Sequence, residues 1–508
     1  MRHNERQKTV SKGFLLPRWR WVPSFYYKFL AFIPSFYYKI TTFVPSFYYK
    51  NMIKRNIIND LTDWGKRKNR KPLVLRGARQ VGKTTLVDEF GRNFEIYLKM
   101  NLEEPEHILL FETYINMDTL LTGIYMLNGV EKKEVPTLLF IDEIQNSPRA
   151  VALLRYFYEK APWLYVISAG SLLESLIGKQ ISFPVGRVEY MAVHPCSFNE
   201  FLGAMGNIEL QKAQWAGEIP DSIHHLTTRL FNQYALVGGM PEVLANYADN
   251  KDILSLGRIY NGLLSGYQDD AEKYTPTGNL RHILRHILKT GWNYAAQRIK
   301  FERFGESDYR SREVGDAFRL LEKTMLLEMV FPYSGYKIPI IQELKRSPKL
   351  LWLDTGIVNY VAGIQKEVFN ASDITDAWRG KVAEHIVGQE LLSRSVRFSD
   401  HRNYWVRNTH GSDAEIDYIL QHDSRIIPVE VKSGHNSKLR SLHLFMDEVE
   451  HRTAIRIWSK NFSVDKVKTP RGKTFNLYNV PFYYAGILEK LIDKWSIDSV
   501  DYFAIHNS

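Results

Sequence analysis

The apolar positions of the chain fall into stretches of two periods. Ile53 to Trp64 has apolar residues at helical spacing, and Lys66 to Lys71 forms a basic turn. Leu73 to Leu75 is short and wholly apolar, which predicts a buried strand, and from Thr85 the spacing becomes helical. Thr137 to Ile141 and Leu164 to Ile167 predict two more strands; four apolar residues in a row suit a parallel strand covered on both faces. Leu226 to Tyr247 and Ile253 to Tyr274 repeat at three- and four-residue spacing and predict helices, as does the stretch from His282 to Ile287. Glu313 to Lys323 predicts a longer helix, followed by strand-like Leu326 to Phe331. Gly380 to Leu392 predicts another helix, and Ala414 to Leu420 and Val429 to Lys432 predict strands. Strands alternating with helices make the fold class α/β.

Length and composition narrow the classes. A chain of 508 residues predicts two to four domains, and 44% apolar with 24% charged residues excludes a wholly disordered or fibrous protein. The single cysteine, Cys196, excludes an intrachain disulfide framework, gives a zinc site no support, and fits a reducing, cytoplasmic setting. No apolar run approaches the length of a membrane-spanning helix, so no transmembrane segment is expected.

The net charge of +11 is mostly local. Residues 1–51 hold nine Lys/Arg and one acid, so the rest of the chain carries only +3, and bulk charge gives no nucleic-acid footprint. Within that tail Pro-Ser-Phe-Tyr-Tyr-Lys begins at Pro23, Pro34 and Pro45, a period of eleven residues. A proline in every repeat opposes a helix. The tail's aromatic and lysine content would suit a membrane surface, stacking on single-stranded bases or an unstructured tail, but near-identical repeats ahead of Met52 read best as duplicated sequence upstream of a native start, and no function is based on them.

Gly77, Ala78, Arg79, Gln80, Val81, Gly82, Lys83 and Thr84, with Thr85 after them, fit G-x-x-x-x-G-K-T between a predicted strand and a predicted helix. In such a loop the glycines let backbone N–H groups curl around phosphates, the lysine reaches the β and γ phosphates, and the threonine hydroxyl takes Mg2+. The helix that follows turns its positive end toward the same anion. ATP with Mg2+ is the expected ligand. The strand from Thr137 ends in Asp142-Glu143, where open α/β sheets place ligands. Asp142 is then the metal-side carboxylate and Glu143 the group that polarises the attacking water. Ser168 and Ser171, after the next strand, are candidates to sense the γ-phosphate. Arg187 is the candidate for an arginine supplied to the transition state by a neighbouring subunit, which makes a homo-oligomer a candidate assembly.

These residues resemble those of the prokaryotic AAA-type ATPases that carry a C-terminal domain of uncharacterised function. The segments that carry the resemblance are Arg76 to Thr84, Phe140-Ile-Asp-Glu-Ile-Gln145, Ala169-Gly-Ser171, His194-Pro-Cys-Ser-Phe-Asn-Glu-Phe201 and Val237-Gly-Gly-Met-Pro-Glu-Val243. The family usually has leucine where this chain has Cys196. The resemblance runs from about Met52 to about residue 490. It implies an ATPase core (52–204), a helical lid (205–280), a winged-helix-like region (281–365) and a nuclease-like domain (366–490). The helix, turn, longer helix and strand of 281–331 have winged-helix order, and Arg310, Arg312 and Arg319 are candidate phosphate contacts there.

A second group of polar residues lies near the C-terminus. Glu384 falls on the predicted helix, Asp417 near the start of a strand, and Glu430 and Lys432 thirteen and fifteen positions beyond Asp417. Strand alternation puts Glu430 and Lys432 on one face while Val429 and Val431 take the other. An acid on one strand, E-x-K on the next and an earlier helical glutamate resemble the PD-(D/E)xK nuclease core. Asp417 and Glu430 would hold a second Mg2+, Lys432 would orient water or stabilise a pentavalent phosphate, and Glu384 would complete the shell. Nucleic acid is therefore a candidate partner. A nucleotide-gated switch or DNA-binding regulator that binds without cutting remains the other function class.

Overall fold

The computed structural model describes residues 53–170, 184, 186–273, 278–363, 365, 381–407, 414–432 and 439–495. The repeat tail and Ser171 lie outside the described residues.

Five parallel strands in the order β2-β3-β4-β1-β5 organise the first part of this chain. They are β1 (Leu73–Arg76), β2 (Ile96–Asn101), β3 (Thr137–Asp142), β4 (Tyr165–Gly170) and β5 (Glu189–Ala192). Each of β3's six residues is buried, because both faces of the sheet are covered. On one face Leu73, Leu75, Leu138, Phe140 and Ile167 join the core with α1 (Ile58–Lys66) and α2 (Lys83–Gly91). On the other, Val74, Leu139, Ile141 and Val166 pack with Phe111 of α3 (Pro105–Glu112), Ile124 of α4 (Met117–Leu127) and Phe157 of α5 (Pro148–Lys160). The β4 strand continues through Gly170, further than its apolar run predicts, so Ser168 lies within it.

Four helices follow: α6 (Phe198–Ala204), α7 (Ile208–Ala216), α8 (His224–Val237) and α9 (Pro241–Asn250). The periodicity from Leu226 to Tyr247 predicts one helical stretch, and the structure divides it. Gly238 has φ +81°, a conformation that favours glycine and ends α8, while Pro241 opens α9. A side chain on Gly238 would meet the Asp354 carboxylate, and one on Gly239 the Cys196 carbonyl, so the glycine pair also permits close packing.

Next come α10 (Gly257–Lys273), α11 (Gly278–Thr290), β6 (Gln297–Arg298), α12 (Ser311–Lys323), β7 (Leu327–Val330), β8 (Pro332–Tyr333), β9 (Lys349–Trp352) and α13 (Thr355–Val361). β9 pairs antiparallel with both β6 and β7. α12 buries Val314, Ala317, Phe318 and Leu321, a stripe with helical period, while Arg310, Arg312 and Arg319 are exposed.

The last part begins with α14 (Lys381–Ser393) and contains β10 (Tyr404–Val406), β11 (Glu415–Ile416), β12 (Tyr418–His422), β13 (Arg425–Lys432), α15 (Arg440–Glu448), β14 (Thr453–Trp458), β15 (Ser463–Lys468) and β16 (Thr474–Pro481). Its main sheet has the order β12-β13-β14-β16-β15. β12 is antiparallel to β13, and α15 lies in the crossover to the parallel strand β14. Val429, Ile455 and Val480 join the large core that also holds the α1–α2 side of the first sheet. Ile419, Ile426 and Leu477 face a smaller core with Leu442 and Phe445 of α15. Among the described residues no helix is long and apolar enough to cross a membrane.

Candidate nucleotide site and acidic centre

The loop from Gly77 to Gly82 joins β1 to the N-terminus of α2. Gln80 (φ +64°) and Gly82 (φ +90°) take left-handed backbone conformations that curl it. Lys83 is buried, and its Nζ donates to Gly77 O and Ala78 O, both at 2.9 Å. Burial lowers its pKa to about 8, although Glu143 and Asp142 oppose the shift. An anion in the cradle would stabilise the charged form. Thr84 Oγ1 donates to Asp142 Oδ2 at 2.7 Å, so hydroxyl and carboxylate meet at the end of β3. This pair of hard oxygen donors fits Mg2+. Burial also raises the pKa of Asp142 and of Glu143. Glu143 has φ +50° and accepts a short hydrogen bond from Gln145 Nε2.

Two elements brace the loop. Arg55, ahead of α1, is buried; it donates to Val81 O at 2.9 Å and His194 O at 2.6 Å and pairs with Glu200 at 3.1 Å. Arg79 pairs with Asp270 of α10 at 2.8 Å, and the buried Tyr267 hydroxyl donates to Arg79 O at 3.5 Å. α10 therefore closes over the loop. Arg55 was not legible as a functional residue, since a basic residue within the amphipathic stretch from Ile53 reads as its solvated face.

The remaining candidates are more dispersed. Ser168 is buried in β4 and donates to Leu73 O at 3.4 Å. Arg187 pairs with Glu159 at 3.0 Å near the start of β5. Because β5 runs parallel to β1, that is the end of the sheet opposite the phosphate loop, and Arg187 is not brought to the loop of its own chain.

In the last part of the chain, Glu384 of α14, Glu415 of β11 and Asp417 just after it bring one carboxylate oxygen each within 4.8 Å of one another. Glu430 is not in that group; it is buried on β13, with Lys432 at 2.5 Å from its Oε1. Glu430 Oε2 is buried without a partner. Asp417 Oδ2 accepts from Val431 N at 2.7 Å, which ties the two strands together. Burial raises the Glu430 carboxyl to about 7, helped by Asp417, and the Glu384 carboxyl to about 8. An orphaned buried oxygen beside clustered carboxylates is a donor set that fits a divalent ion. Glu415 lies in the predicted strand from Ala414 to Leu420, where an acid two positions before another reads as strand alternation.

Lys349, at the start of β9, enters the same centre. Its Nζ is 2.5 Å from Glu384 and 4.0 Å from Asp417 and also contacts Glu415. Burial alone would lower its pKa, but the carboxylates raise it above the ordinary lysine value. Sequence pattern hid it, because a lysine opening an apolar strand resembles an exposed strand end.

α14 connects this centre to β9 and α13 and to the helices α6 and α8. His385 accepts from Trp352 N at 3.0 Å, and Gln389 accepts from Thr355 N at 2.8 Å. Glu390, buried, accepts from Phe198 N at 3.0 Å and from the Tyr234 hydroxyl at 2.7 Å.

Residues 69–202 match the AAA domain family. With the loop geometry, that match defines a P-loop ATPase domain of AAA type. Residues 228–368 and 379–470 match two domains of unknown function, DUF8612 and DUF4143. No curated protein matches the chain. Among solved structures, the Walker-type ATPase PABY2304 of Pyrococcus abyssi aligns at 15% identity and TM-score 0.41, covering 62% of this chain and 97% of that one. The Aeropyrum pernix ORC1 protein in complex with DNA aligns at 11% identity and TM-score 0.26, with 65% and 97% covered. The assignment rests on the family match and the loop.

Proposed function

We propose that this protein hydrolyses ATP with Mg2+ at the Gly77–Thr84 loop and uses the nucleotide cycle to control a terminal domain of PD-(D/E)xK nuclease type acting on nucleic acid. The contact between Thr84 Oγ1 and Asp142 Oδ2 carries the first half, because it sets hydroxyl and carboxylate where the metal of an ATP complex needs them. Lys83 holds the β and γ phosphates, Thr84 and Asp142 hold Mg2+, and Glu143 orients and polarises water. Held by Thr84 and Asp142, such an ion would supply charge neutralisation at the phosphoryl oxygens. Arg187 serves the site of a neighbouring copy.

The second half is supported by the order helix, strand, antiparallel strand, helix, parallel strand, with Glu384 on the first helix and Glu430 and Lys432 on the middle strand. Asp417 and Glu430 would hold the ion, with Lys432 beside the attacked phosphate. The sheet β6-β9-β7 with α12 against it supports a winged-helix reading of 281–365, with Arg310, Arg312 and Arg319 on its open side.

The test is ATP turnover and binding in two variants. Lys83→Ala is expected to abolish tight ATP binding. Glu143→Gln is expected to keep binding while slowing hydrolysis by about 10²–10⁴-fold. Normal turnover in either variant rejects the site. Cleavage of a DNA and RNA panel with Mn2+, lost in Glu430→Ala, tests the terminal domain; a metal-bound domain that cuts nothing would favour a binding-only switch.

A further inference from the structure

The acidic centre already contains a cation, and it comes from a different part of the chain. Arg298 and Lys349 are direct register partners on β6 and β9, and both reach across to the terminal domain. Arg298 forms an ion pair with Glu415, while Lys349 contacts Glu384, Glu415 and Asp417. Lys349 is almost wholly buried, with 4% of its side chain exposed, and its ammonium lies 4.7 Å from the ring centre of Tyr404.

Together the two side chains bring a formal charge of +2, equal to that of a divalent ion, to a group of three carboxylates. An ammonium balances that charge but does not do the ion's chemistry. It offers no open coordination position, does not bind and acidify water, and uses its N–H groups on the carboxylates it neutralises. Meanwhile Glu430 Oε2, on the strand that Asp417 holds through Val431 N, is buried without a partner. The centre is thus neutralised on one side and unsatisfied on the other.

We propose that Lys349 is an internal plug of this centre: it takes the carboxylates that a divalent ion needs, so that metal binding and the Lys349 contact exclude one another. This rests on the reading of Glu384, Asp417 and Glu430 as a metal centre. The sheet β6-β9-β7 is then the gate of the terminal domain, and loading the metal requires withdrawal of β9's first side chain. An ion a few ångströms from an ammonium in a water-poor site meets strong repulsion, which makes the exclusion steep.

The test uses the full-length protein without nucleotide, with Mn2+ as the probe, titrated by calorimetry and by the electron paramagnetic resonance signal of free Mn2+. Lys349→Met is expected to bind Mn2+ at least about tenfold tighter than the unaltered protein. That gain disappears when Asp417→Asn is added, and Mn2+ raises the melting temperature of Lys349→Met only. Lys349→Met leaves carboxylates uncompensated, so a second variant, Lys349→Met with Glu415→Gln, reduces the repulsion and keeps Glu384, Asp417 and Glu430. ATP binding at the phosphate loop reports whether each variant is folded. Asp417-dependent Mn2+ binding in the unaltered protein as tight as in the variants overturns the plug and leaves the metal centre standing. Absence of Asp417-dependent binding in every folded variant overturns the metal centre, and the plug with it.

Discussion

Two buried lysines, Lys83 and Lys349, illustrate opposite solutions to the same electrostatic problem. Each has lost its water. Lys83 has two backbone carbonyls in exchange, and its pKa falls. Lys349 has carboxylates in exchange, and its pKa rises. The first arrangement would be completed by the anion of a bound phosphate. In the second arrangement the protein supplies the anion. A buried cation hydrogen-bonded only to backbone carbonyls marks a place to receive charge, whereas one already paired directly with carboxylates marks a closed contact.

The contrast can be broken most directly through stability. Lys349→Met is expected to destabilise the nucleotide-free protein by about 3–5 kcal/mol, the usual cost of leaving buried charges without their partner. Lys83→Met should change it by no more than about 1 kcal/mol, because a poorly compensated ammonium is removed. Denaturant titration of the two variants measures the gap; equal losses would end the distinction.

Glu390 extends the comparison to a buried acid held by a hydroxyl and an amide. Its folded pKa is raised to about 7 from the ordinary 4.5, chiefly by burial. Between those values the folded state keeps a proton that the unfolded chain has released, so stability falls as pH rises. Relative to Glu390→Gln, the unaltered protein should lose about 3 kcal/mol between pH 4.5 and 7.5. The buried neutral histidines His194 and His385 favour the opposite slope, but both proteins carry them and the difference cancels their effect. A difference that does not vary with pH would show that Glu390 titrates in the folded protein as it does in the unfolded chain.

The smallest effect is expected at the rim of the phosphate loop. Arg79 is about half exposed in its pair with Asp270. Arg79→Ala should change stability by about 1 kcal/mol or less. A larger loss would show that α10 closes the loop as firmly as carboxylates close the acidic centre.

What the sequence revealed follows from how local each signal is. The phosphate loop, its strand and its helix are contiguous, so spacing alone placed Lys83 and Thr84, and the apolar run before Asp142 placed its partner across the sheet. Glu430 and Lys432 were legible for the same reason, since both belong to one alternating strand. Arg55, Lys349 and Glu390 were not. Each is a charged residue whose partner lies far along the chain, and the pattern around a buried ion pair looks like that around a solvated charge. The glycine pair at Gly238 belongs to both groups: it was recognisable as part of a motif, but that it breaks a helix and admits Asp354 depends on packing.

The helix α14 has a consequence for how such proteins can be assembled from parts. Residues 69–202, 228–368 and 379–470 are matched as three separate domains. Yet along this one helix Glu384 meets the middle segment through Lys349, His385 and Gln389 meet it through Trp352 and Thr355, and Glu390 meets the first segment through Phe198. Successive turns of a single rod thus act as a key cut for two different locks. Recombination at the boundaries between matched segments would preserve every motif and lose the fit, so a terminal domain exchanged with that of a distant relative must bring its own matching β9 and its own Phe198 turn.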